Sequence, residues 1–213
     1  MRWVPGLFTA ILVIGSALDV PANSASPPPP IEEIPFDDDD EMIARGNVAR
    51  QVLTFLQTVQ THWGQSPEAV RDAVTGDIVR DAHGTLIYTR ALAEHGVLEG
   101  YEFHEGSLVR GNYRCLQRPI NGLNEFIGYY SAVKHALTSS YGAPVQEKTV
   151  WENDLYHSLP DYWGVAVMIG HLRYGARWET ADGMISIELT GNRYSRLVID
   201  YRGKDFIRNN RAM

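Results

Sequence analysis

Residues able to do chemistry are few and scattered along this 213-residue chain. The seven histidines are His62, His83, His95, His104, His135, His157 and His171, and no two stand four apart, the step that puts two imidazoles on one helix face for a metal. Cys115 is the single cysteine, so neither a C-x-x-C site nor an internal disulfide can form. No G-x-S-x-G elbow and no glycine-rich phosphate loop occurs. No catalytic, cofactor-binding or metal-binding residue is therefore assigned. Asp37 to Glu41 is a run of carboxylates without the alternation and central glycine of a calcium loop, and it reads as solvated charge. The one site-like pair is His104-Glu105 at a predicted hairpin tip. An imidazole beside a carboxylate can do acid–base hydrolysis only if a cleft encloses it; a solvated turn explains the pair equally well.

The formal net charge of −7 works against nucleic acid and against an anionic membrane surface as main partners. Arg2, an apolar run from Val4 to Leu18 and small residues from Ala22 to Ser26 have the layout of a cleaved export signal over residues 1–22. The run is shorter than a membrane-spanning helix needs, so no stable insertion is expected after cleavage. The expected location is periplasmic or secreted. Four prolines at 27–30 and the acids that follow predict an extended, disordered arm over residues 23–45. A tail is expected at 207–213.

The ordered part is expected at 46–206. Val48, Val52, Phe55, Val59 and Trp63 form one helical apolar stripe, with Asn47 as its predicted cap and Gly64 as its stop. Phe126, Tyr130, Val133, Leu137 and Tyr141, then Gly142, repeat the same steps 78 positions later. This constant offset predicts two degenerate repeats, at about 46–117 and 121–206. In the first, Ser66-Pro67-Glu68 starts a short second helix through Val74. Three antiparallel strands follow, around Leu86, Tyr101 and Tyr113, with Gly111 as a candidate bulge. In the second, residues 145–151 and 173–180 read as strands. Residues 162–172 suit either a helix, favoured by analogy, or a central strand. Ile185 to Leu189 and Leu197 to Tyr201 alternate around a Thr190–Arg193 turn, as a hairpin should. Length added to the second copy is expected between its helix and its sheet. The fold class is α+β, with two helix-loop-helix plus strand repeats placing helices on one face of an antiparallel sheet.

Trp63-Gly64, Tyr141-Gly142 and the terminal hairpin of this tandem pattern resemble the beta-lactamase-inhibitor-protein-like architecture. BamE-like lipoproteins have a related single unit. The resemblance implies an open sheet face that binds other proteins; the lipid-bearing cysteine of BamE-like proteins is absent.

By alternation, that face carries Glu102, His104, Ser186, Glu188 and Asp200, an acidic and polar set that suits another exported or envelope protein with a basic surface. The expected function is a non-enzymatic binding or inhibitor-like module. The alternatives are a small envelope hydrolase or lipid-handling enzyme with His104 and Glu105 in a cleft, and a structural envelope protein. If the export reading is right, intact-mass measurement on protein from its host will show loss of about the first 22–25 residues. A mature chain that begins at Met1 would refute it.

Overall fold

Both apolar stripes form helices, and both lie on the same side of one sheet. A computed structural model describes residues 39–82, 84–92, 95–116, 124–204 and 206–207. The expected signal, most of the arm and nearly all of the tail lie outside these residues. The helices are α1 (Asp39–Thr61), α2 (Pro67–Ala73), α3 (Glu125–Tyr141) and α4 (Trp163–Met168). The strands are β1 (Asp77–Ala82), β2 (Thr85–Leu92), β3 (His95–His104), β4 (Ser107–Leu116), β5 (Gln146–Trp151), β6 (Leu172–Glu179), β7 (Gly183–Gly191) and β8 (Ser195–Gly203). They form one antiparallel sheet in the order β1-β2-β3-β4-β8-β7-β6-β5. The class is α+β, as the periodicities predict. Residues 163–168 are helical, and the hairpin around Gly191 lies where the alternation puts it.

Cross-strand register sorts the side chains into two faces. Tyr101, Tyr113, Ile199, Ile187, Ala176 and their neighbours are buried under α1 and α3. The Phe55 ring sits 5.6 Å from Tyr101 and 5.7 Å from Tyr113. Burying a Leu- or Phe-sized side chain contributes roughly 1.5–3 kcal/mol, so this one face carries most of the stability. Cys115 is part of it, and burial pushes its thiol up to about 12. The thiol acts as packing, not as a nucleophile.

Three local expectations need correction. Helix α1 begins at Asp39, inside the expected arm, and Asn47 lies in its interior. Arg45, 7% exposed, packs its guanidinium against Gly128 of α3. A strand missing from the sequence reading, β1, precedes Thr85; it is exposed along nearly its whole length and so lacks a hydrophobic alternation to detect. Gly111 is not a bulge, since the register shift falls between Glu102 and Phe103. A Cβ at Gly111 would come 2.4 Å from Val59 Cγ2, so this glycine lets α1 lie directly on β4.

The two long helices do not follow the symmetry that relates the strands of the two halves. Let the upper end of the sheet be the one where His95 and Leu116 lie. Helix α1 runs downward: Arg45 packs beside Gly128, the Tyr113 hydroxyl donates to Gln51, and Gly64 N–H donates to the Leu108 carbonyl at 3.1 Å. Helix α3 also runs downward, from the Glu125–His95 contact to Gly142, whose carbonyl accepts from Trp178 Nε1 at 2.9 Å. Yet β4 and β8 are antiparallel, so the half-turn relating the two four-stranded halves reverses every strand. It would reverse the helix too. Both helices nevertheless cover the same sheet face and start from its upper end.

This accounts for the connections. Helix α3 ends at the lower edge, where Val145 N–H bonds the Arg177 carbonyl and β5 starts at once. Helix α1 also ends there, but β1 starts at the top, because Asp77 pairs with Thr89 and Thr89 with Leu98. Helix α2, capped by the Ser66 side chain, takes up part of that return. The long insertion of the second half is residues 152–171 between β5 and β6, within the sheet rather than ahead of it.

Gly64 and Gly142 have the predicted positive φ, +71° and +82°, and a Cβ there meets nothing within 4 Å. Replacing Gly64 with Ala is expected to cost about 1 kcal/mol, from the positive φ alone. Gly111→Ala must instead push α1 off the sheet and is expected to cost about 1–3 kcal/mol. Urea denaturation midpoints will separate the two.

Candidate binding face

All four helices leave one sheet face bare. Its side chains are the alternate residues that the register brings into line. One row crosses the sheet as Leu98, Arg114, Val198, Glu188, Gly175 and Lys148. The next runs Gly100, Asn112, Asp200, Ser186 and Arg177. Gly100 and Gly175 have no side chain to fill the surface, and a trough of about 1110 Å³ lies over β3, β4, β8 and β7. A second cleft of about 370 Å³ over β5 and β6 shares Ser186 and Glu188 with it. Tyr194, half exposed in the β7–β8 turn, stands at the upper mouth of the trough.

Four of the five residues expected on this face lie on the sheet surface. Ser186 and Glu188 line both clefts. Glu102 and Asp200 belong to one cluster with Arg110, which holds Asp200 at 2.7 Å and Glu102 at 3.1 Å. Arg202 also reaches Asp200, at 2.6 Å. Asp200 is only 6% exposed, so its charge is spent within the protein. Partial burial disfavours the charge on Arg110, but Asp200 and Glu102 more than offset it and hold its pKa above the ordinary value. The fifth residue, His104, is exposed at the tip of the β3–β4 hairpin, away from the trough.

The charge of the trough runs opposite to the sequence expectation. Arg110, Arg114, Arg196 and Arg202 line it, against only Glu188 and Asp200. Arg114 donates to the Asn112 side chain, and neither it nor Arg196 has a carboxylate partner among the described residues. The trough thus carries more basic than acidic side chains, against a net charge of −7 for the whole chain. The sequence does hold the signal, since 110, 112 and 114 share one parity on β4 and 196 to 202 another on β8. What alternation cannot supply is the β4–β8 pairing that makes the two sets adjacent.

His104 and Glu105 lie at the β3–β4 hairpin tip, outside the two clefts of the bare face. Both are exposed, Glu105 in the left-handed region at φ 51°, and neither lines a cleft described here. The buried polar groups lie instead under the helices. His95 Nε2 is 3.1 Å from Glu125 Oε1, which also accepts from the Tyr129 hydroxyl. Burial raises the Glu125 carboxyl, and these two partners more than offset it, leaving its pKa below the ordinary value. Glu99 is 4% exposed and bound to Arg90 at 2.9 Å; burial raises its carboxyl. The His95–Glu125 contact ties β3 to α3, whereas Arg90 and Glu99 tie β2 to β3 and line a cleft of about 450 Å³ beside α1. Among the described residues, no group of three His, Cys, Asp or Glu side chains could hold a metal ion. No helix of the described residues is long and apolar enough to cross a membrane.

Because Asp200 is buried, Arg110→Met is expected to destabilise the fold by about 1–3 kcal/mol, with Arg202 limiting the loss. The double change Arg110→Met with Asp200→Leu should recover part of it in thermal unfolding, since no buried charge is then left unpaired.

Comparison of the chain with protein-family models, with curated proteins and with solved structures returns no match.

Proposed function

We propose that this chain is an exported, non-enzymatic binding module that holds another protein on the uncovered face of its sheet. The observation that carries the reading is the trough of about 1110 Å³, because it lies where no helix covers the sheet and has arginines without carboxylate partners on its floor. A large concave surface with unpaired charge and a few apolar side chains is built for recognition, not for core packing. Leu98 and Val198 give the apolar floor, and Tyr194 gives an aromatic at the rim. The reading no longer draws on internal duplication. It rests on the surface itself.

Site-specific photo-cross-linking in the native envelope and culture fractions tests it. A cross-linking residue at Ser186, in the trough, is expected to capture a discrete protein. The same residue at Ser139, exposed on the outer side of α3, is expected to capture none. Capture from Ser139 alone would move the binding surface to the helix layer and end this reading.

A further inference from the structure

Resting on that reading, we infer that the trough and the adjoining second cleft together take an extended acidic polypeptide segment laid across the strands, with two carboxylates about four residues apart. The charges on the face are grouped. Arg114 and Arg196 are diagonal neighbours on β4 and β8, since Arg114 pairs with Val198 and Leu116 with Arg196. Lys148 and Arg177 are diagonal neighbours on β5 and β6, since Lys148 pairs with Gly175 and Gln146 with Arg177. None of the four has a carboxylate partner among the described residues, and Arg177 Nε is buried without a hydrogen-bond partner. Between the two pairs the floor is low, formed by Val198, Ser186 and Gly175.

The spacing selects the ligand. The centres of the two basic pairs are three strand steps apart across the sheet and about two residues apart along it, or ~16 Å at ~4.8 Å per step and ~3.4 Å per residue. An extended chain rising ~3.4 Å per residue covers that in four to five residues, and a spacing of four keeps both carboxylates on one side of it. Glu188 stands between the pairs, unpaired among the described residues. A uniform polyanion such as nucleic acid or heparin would set negative charge against it. A polypeptide with acids only at the two ends of the span would not, and its middle residues would meet Val198 and Gly175. The net −7 of the whole chain further opposes a long polyanion, whereas a short local segment is screened from distant charge within about 10 Å.

The test uses fluorescence anisotropy with synthetic nine-residue Thr/Val-rich peptides, whose composition favours an extended chain. The first carries glutamates four apart, the second carries them two apart, and the third has glutamine in both places. The first is expected to bind best, with affinity that falls as salt rises. Arg114→Gln with Arg196→Gln should weaken it by about three- to tenfold, and so should Lys148→Gln alone or with Arg177→Gln. Glu188→Gln should strengthen it. Circular dichroism and unfolding midpoints check that each variant is folded, and Lys148→Gln keeps the test intact should the Arg177 variant misfold. Equal binding of the glutamine peptide, no binding of any peptide, or heparin binding tighter than the first peptide would each overturn the inference. Capture of a protein from Ser186 together with failure of the acidic peptide would leave the binding reading standing and remove this one.

Discussion

Two long helices cover one face of an eight-stranded sheet, and they run in the same direction. Close approach makes this workable. Gly111 removes a side chain beneath α1, and Gly128 in α3 leaves room for the Arg45 guanidinium at the point where the helices meet. The helices therefore share one footprint over the central strands β4, β8 and β7. The outer strands project past it, and β1 is exposed almost throughout. The order of α2, the placing of the insertion at 152–171 and the bare opposite face all follow from where those helices begin and end.

Polar groups divide between the two faces by the same geometry. Under the helices, Glu99, His95 and Glu125 are desolvated and each is matched to a specific partner. On the bare face, water screens the arginines, so they can remain unpaired at little cost. Asp200 is the exception. It lies on the open face yet is buried, because Arg110 and Arg202 close over it and the Phe206 ring lies 5.8 Å from the Arg110 guanidinium. That cluster gives the lower end of the trough a fixed wall.

Much of this fold was legible in the residues. The stripe from Val48 to Trp63 and that from Phe126 to Tyr141, their glycine stops, the Ser66 cap and the terminal hairpin are local signals, and each lies where periodicity puts it. Helix direction relative to the sheet was not legible, since a stripe shows which face is apolar and not which way the helix points. Strand β1 was missed because none of its faces is buried. On the bare face, alternation identified Ser186 and Glu188 correctly but left out the arginines, which become neighbours only through a pairing between residues about 90 positions apart. Counting only the acids thus left half of the charge on this face out of the reading.

The pairing of β4 with β8 has a kinetic meaning. The two strands at the centre of the sheet are the last strands of its two halves, β4 near the middle of the described chain and β8 near its end. Until β8 is present, β4 has an open edge and α3 lacks part of the surface it packs against. The β4–β8 pairing closes a loop of about 90 residues, a non-local contact of the kind that slows folding. The sheet is therefore continuous only once the C-terminal hairpin is in place.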